Sequence, residues 1–173
     1  LMEYKQNNGP FLITVPLSTL SNWNLELHKW APRCVVVVYQ GKPNLRKAIF
    51  KEMKTAQFNV LLTSYELVMR DKRFLKKFTW EYIIIDEGYR VKNADCKFAS
   101  TLSREYISRH RLLLTGTPLH NNITEMWSLL NFLLPEVFDC SESFEDWFSK
   151  PFRSYQTGSK GEKTDDQSLL STE

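Results

Sequence analysis

The chain has 173 residues, 42% of them hydrophobic, 13% aromatic and 25% charged, with a formal net charge of +3. That length suffices for one domain with a real core. No apolar run approaches the roughly 18 residues of a membrane span, which rules out a transmembrane reading. The mild basicity permits a nucleic-acid partner without demanding one. Three cysteines, Cys34, Cys96 and Cys140, are widely spaced and lack CxxC pairing, so a reducing compartment is expected rather than a disulfide scaffold or a zinc knuckle. The opening residues carry no signal-peptide pattern.

The first expected element is a strand over Phe11–Val15, apolar on consecutive positions. A helix follows over Thr19–Trp30, with Leu20, Trp23, Leu27 and Trp30 at helical spacing and Ser18 as its N-cap. Next come a strand over Cys34–Val38 and a helix over Leu45–Lys54, opened by Pro43, which suits a first turn. A strand over Asn59–Leu62 leads into a single helix over Ser64–Lys77. The strand Tyr82–Ile85, the helix Asp95–Arg104, the strand Arg111–Leu114 and helices over Ile123–Leu133 and Ser141–Lys150 complete the series. Such alternation predicts an α/β fold, a parallel sheet flanked by helices. Residues 154–173 are polar and rich in Ser, Gly and Thr, and read as a flexible linker after a domain over 1–153.

Ligands of such sheets gather at the carboxyl ends of the strands. There the sequence sets Asp86 and Glu87, immediately after Tyr82-Ile83-Ile84-Ile85. In a nucleotide hydrolase this is the Walker-B arrangement. The first carboxylate holds hydrated Mg²⁺ because a hard cation takes oxygen ligands and keeps its water, and the second orients or deprotonates the attacking water. The alternative for this pair is ordinary solvated turn chemistry. A second apolar strand ends in Thr115-Gly116-Thr117-Pro118, which alone reads equally well as a tight turn. Arg90, Lys92 and Asn93 directly follow the Asp86–Glu87 strand, where loop charge can reach phosphate. The basic rows Arg70, Lys72, Arg73, Lys76, Lys77 and Arg46, Lys47, Lys51, Lys54 read as solvated helix faces. Trp23, Trp30, Trp127 and Trp147 read as core, and His28, His110 and His120 lack metal-ligand spacing.

Taken in order, these segments resemble the helicase-like ATPases of superfamily two, and more closely the SWI/SNF-type chromatin-remodelling ATPases. The stretch from Gly9 to Trp23 resembles motif Ia, Asn59 to Glu66 motif Ib, Asp86 to Asn93 motif II with its extension, and Leu112 to Asn122 motif III. Glu125 to Pro135 and Phe144 to Phe148 resemble further segments of that family. The resemblance implies a RecA-like (P-loop NTPase) lobe over 1–153 within a nuclear motor that hydrolyses ATP with Mg²⁺. Such a motor translocates on double-stranded DNA, shifts nucleosomes to regulate transcription, and works within a multiprotein complex away from membranes. By it, Asp86 coordinates Mg²⁺ through water and Glu87 is the catalytic carboxylate. Tyr89, Thr115, Gly116 and Thr117 couple nucleotide state to DNA, and Pro16, Ser18, Thr19, Thr63, Ser64 and Tyr65 face DNA phosphates.

Three departures qualify the carry-over. No G-x-x-x-x-G-K-[ST] loop occurs among the six glycines. The lobe is therefore expected to lack its P-loop strand, with the chain starting just after it. The second lobe, with its arginine finger, has no counterpart here, so the piece alone is expected to be inactive. Tyr89 stands where that family has histidine, and a phenol does not titrate near neutrality. Two other readings stay open: a DNA- or nucleosome-binding module that has lost hydrolysis, and a DNA-repair translocase of the same superfamily.

Overall fold

A computed structural model describes residues 2–87, 96–116, 127, 130–134 and 137. All of these lie within Leu1–Asp139, the larger of the two units into which the chain divides. The elements are α1 (Met2–Lys5), β1 (Phe11–Val15), α2 (Leu20–Trp30), β2 (Val36–Tyr39), α3 (Pro43–Met53), β3 (Val60–Ser64), α4 (Tyr65–Arg70), α5 (Lys72–Leu75), β4 (Thr79–Asp86), α6 (Cys96–Glu105) and β5 (Ile107–Leu114). Residues 127 and 130–133 are helical within the expected 123–133 helix. The helix expected over 141–150 and the linker over 154–173 lie outside the described residues.

The five strands form one sheet in the order β2-β3-β1-β4-β5, and every pairing is parallel. This is the expected α/β architecture. β1 sits in the middle, with Thr14 opposite Thr63 on one side and Ile85 on the other. Its five residues are all buried, as a strand covered on both faces must be. Strand alternation splits the core in two. Phe11, Ile13, Val15, Val60 and Leu62 join Leu20 of α2 in one cluster, against which Trp23, Leu27, Tyr82 and Ile84 pack. Leu12, Leu61, Ile83 and Ile85 join Phe50, Met53, Leu67, Val68, Leu75, Phe98 and Leu102 from α3–α6 in the other. Each fully buried Leu or Ile contributes about 1.5–3 kcal/mol.

Several local expectations change. The N-cap of α2 is Thr19, not Ser18, and it makes no side-chain cap bond; its hydroxyl donates instead to the Pro16 carbonyl at 3.1 Å. Trp30 is 75% exposed rather than core, its indole N–H donating to Glu26 one turn back. The single helix expected over 64–77 breaks at Asp71, whose φ of −104° and ψ of 21° leave the helical region. The break has a tertiary cause. Asp71 accepts from the Tyr39 hydroxyl at 2.9 Å and pairs with the Arg46 guanidinium at 2.5 Å. Arg46, expected on a solvated face, is 5% exposed and also donates to the Gly41 carbonyl. Gly41 has a φ of +98°, which only glycine adopts freely. Burial, and then Asp71, push the Tyr39 hydroxyl well above its ordinary pKa. Arg46 is raised as well, first by its bond to Asp71.

The other basic row is solvated only in part. Lys72 of α5 and Lys76, which caps it, both bind Glu105 at the end of α6, at 2.6 and 2.8 Å. Their hydrogen bonds hold its carboxyl down at about 2, so the clamp stays charged through mild acid.

The buried Arg46–Asp71 pair generates a prediction. Asp71→Ala leaves the guanidinium buried without its counter-charge, and stability should fall by about 3–5 kcal/mol. Urea denaturation of both chains measures this; a loss below about 1 kcal/mol would show that Arg46 finds solvent or another partner.

Candidate functional site at the strand ends

Because the strands are parallel, their carboxyl ends share one edge of the sheet. On that edge lie the Pro16–Thr19 turn after β1, Ser64 at the end of β3 with Tyr65 after it, Asp86 at the end of β4 with Glu87 after it, and Thr115 and Gly116 after β5. Asp86 lies level with Leu114 on the neighbouring strand. Tyr89, Arg90, Lys92, Asn93 and Thr117 lie outside the described residues.

Strand parity decides what Asp86 meets. Tyr82 and Ile84 face the cluster beneath α2, so Asp86, two positions on, faces α2 as well. There the indole Nε1–H of Trp23 donates to Asp86 Oδ2 at 2.7 Å. The Trp23 backbone is set by the first turn of α2, its N–H reaching the Thr19 carbonyl at 2.9 Å. From the end of β3, on the far side of β1, the Tyr65 hydroxyl donates to the main-chain carbonyl of Asp86. Side chain and backbone of one residue are thus held from two different turns.

Glu87 breaks two local rules. Its φ of +54° lies in the left-handed region, which costs a non-glycine residue roughly 1–2 kcal/mol. Its Oε2 is buried with no hydrogen-bond partner among the described residues. Such an orphaned carboxylate oxygen carries a desolvation cost that a ligand can relieve. Its other oxygen lies close to the end of β5, where a Cβ built on Gly116 would stand 3.7 Å from Oε1. Strain and an unsatisfied charge at the same residue are features of sites organised for something other than stability.

A divalent cation fits this donor set. Among the described residues no group of three or more His, Cys, Asp or Glu could cage a metal. Mg²⁺ needs no such cage, because it binds through one or two carboxylates and keeps several waters. The Asp86 oxygen that Trp23 does not engage, with Glu87 beside it, supplies that minimum.

The remaining residues divide by exposure. Ser18, Thr115 and Gly116 are exposed, and Thr19, Tyr65, Asp86 and Glu87 are half-buried. Pro16 is buried, as are Thr63 and Ser64. The Thr63 hydroxyl donates to the Tyr39 carbonyl at 2.8 Å inside the fold, which sets its side chain apart from a phosphate contact. Trp23, read as core from its helical spacing, is the site residue that spacing missed. Its signal was present: positions 20, 23 and 27 of α2 cover the face that residues 82, 84 and 86 present.

Comparison with known proteins places this geometry. A family model described as the SNF2-related domain matches residues 1–171. The chain is 49% identical over 170 residues to the chromatin structure-remodeling complex subunit snf21 of Schizosaccharomyces pombe, covering 98% of this chain and 14% of that protein. It is 51% identical over 170 residues to the ATP-dependent helicase brm of Drosophila melanogaster, covering 98% and 10%. Among solved structures, the SWI2/SNF2 ATPase core of Sulfolobus solfataricus in complex with dsDNA superposes with a TM-score of 0.70 at 31% identity, covering 88% of this chain and 31% of that one. The chain thus spans between a tenth and a seventh of the length of these curated relatives.

The strain at Glu87 is measurable without any ligand. Glu87→Gly removes both the left-handed penalty and the buried oxygen, and should stabilise the chain by about 1 kcal/mol. Chemical denaturation reads the difference; a destabilised variant would mean that Glu87 is held by contacts that repay its conformation.

Proposed function

The chain belongs to the SNF2-related domain family, and from that premise we propose that it forms part of the first RecA-like lobe of a nuclear, ATP-dependent chromatin remodeller. The parent translocates on double-stranded DNA and moves nucleosomes as one subunit of a larger complex. The observation that carries this reading is the pairing of Asp86 with a strained, unsatisfied Glu87. Both stand on the sheet edge that also bears the β1–α2 and β3–α4 turns.

Asp86 would hold hydrated Mg²⁺ through its carboxylate, and the cation would supply positive charge against the negative charge building on the transferring phosphoryl group. Glu87 orients the attacking water and accepts its proton, and the left-handed backbone turns its carboxylate away from the course of the strand. Gly116 borders Glu87 just beyond the end of β5, with Thr115 before it in the chain, so a shift of that turn alters the placement of the general base. Together with Tyr89 and Thr117, they form the coupling element.

DNA lies along the turns after β1 and β3. Ser18 and Thr19 offer hydroxyls and the turns offer main-chain N–H groups to phosphate, with Tyr65 beside them; Arg90, Lys92 and Asn93 add charge. Pro16, Thr63 and Ser64 shape the turns from within. Contacts to phosphate carry no sequence information and weaken with salt, as movement over any sequence requires. The phosphate-cradling loop is not among these 173 residues, so nucleotide turnover belongs to the intact protein.

Glu87→Gln in the intact protein tests the assignment. ATP hydrolysis stimulated by duplex DNA should fall about 10²-fold or more in kcat, because the general base is lost while size and shape are kept. An undiminished rate would remove Glu87 from the reaction. No turnover in the unmutated protein, with duplex binding intact, would establish the binding-module reading instead.

A further inference from the structure

We propose that Trp23 is a positioning residue for the metal-holding carboxylate: its indole N–H fixes Asp86 through Oδ2 and reserves Oδ1 for a hydrated divalent cation. The inference rests on the reading of Asp86 as metal holder and extends it to a residue on the apolar face of α2.

Three observations support it. First, the bond is short, at 2.7 Å, and partly shielded from water, and it is the one side-chain hydrogen bond to the Asp86 carboxylate among the described residues. Without it, an aspartate at a strand end turns freely about its side-chain torsions and presents no fixed oxygen. Second, packing does not force the bond. Trp80 is fully buried and its Nε1 has no partner among the described residues, so this fold tolerates an unsatisfied indole. Third, the Tyr65 hydroxyl holds the main-chain carbonyl of the same Asp86, so backbone and side chain are separately fixed.

The chemistry of the donor suits the task. An indole N–H donates only and carries no charge. It orients the carboxylate while leaving its negative charge available to the cation, whereas Lys or Arg at this place would neutralise the charge and repel the metal. Trp23 itself is seated with its side chain packed against the apolar cluster beneath α2 and its main-chain N–H donating to the Thr19 carbonyl in the first turn. Loss of partners that orient metal ligands typically weakens metal affinity 10- to 100-fold.

The test uses the intact protein holding a non-hydrolysable ATP analogue, with Mn²⁺ as the probe and its paramagnetic resonance signal as the readout. Trp23→Phe should weaken Mn²⁺ binding about tenfold, while analogue affinity without metal stays as in the unmutated protein. Trp23→His, which restores a ring N–H donor, should recover part of the loss; a merely structural role would predict no such recovery. Because Trp23→Phe could disturb the fold, the indole ¹H–¹⁵N resonance of Trp23 is followed in the unmutated protein as Mg²⁺ is added, and it should shift. Unchanged Mn²⁺ affinity in Trp23→Phe, or an indole resonance indifferent to Mg²⁺, overturns the inference. Asp86→Asn separates it from the reading beneath. If that variant also binds Mn²⁺ normally, the metal assignment itself fails; if it alone binds weakly, only the role of Trp23 falls.

Discussion

The shared direction of the five strands is the constraint on which everything else in this chain depends. With every pairing parallel, the carboxyl ends of β1, β3, β4 and β5 emerge on one edge, and residues far apart in sequence become neighbours. Register then does the finer placement. Because β1 pairs on both sides, Val15 ends level with Ser64, and one position earlier Thr14 lies level with Thr63 and Ile85. A slip of one residue in β4 would turn Asp86 to the opposite face and away from Trp23. The buried alternation along Tyr82–Ile85 opposes that slip, since every apolar side chain would exchange faces with it.

Two departures from local preference in this fold differ in kind. Tyr39, Arg46 and Asp71 form a buried polar cluster that is satisfied within itself, and it ends one helix and starts another. It fixes where α4 stops, and so holds the segment that follows Ser64 and Tyr65. At Glu87 the violation is of another kind: a left-handed backbone and a buried, unpartnered oxygen stand with nothing in the described fold to offset them. Strain and an unpartnered oxygen thus meet in one residue at the candidate site.

Legibility in the sequence followed the same division. Short apolar runs announced all five strands, most plainly β1 and β3, which are buried at every position and have no polar register to disguise them. β4 and β5 nevertheless begin earlier than their apolar runs. Thr79–Glu81 and Ile107–His110 are carried into the sheet by pairing with each other, as with Thr79 opposite Ile107 and Tyr82 opposite His110, and a partner strand is invisible to periodicity. Asp86 and Glu87 could be singled out as candidates because adjacent carboxylates after an apolar strand have a specific use in nucleotide hydrolases. Arg46, Asp71 and Trp23 could not be placed, because each is defined by a contact 25 or 63 residues away. Helical spacing showed that Trp23 faces inward, but not that a carboxylate waits there.

The most direct measurement is a structure of the intact protein with Mg²⁺ and a non-hydrolysable ATP analogue. The account predicts the metal within one water of Asp86, with Oδ2 still on the Trp23 indole and the Glu87 carboxylate directed at the terminal phosphate. A metal held elsewhere, with Asp86 and Glu87 turned to bulk solvent, would contradict it.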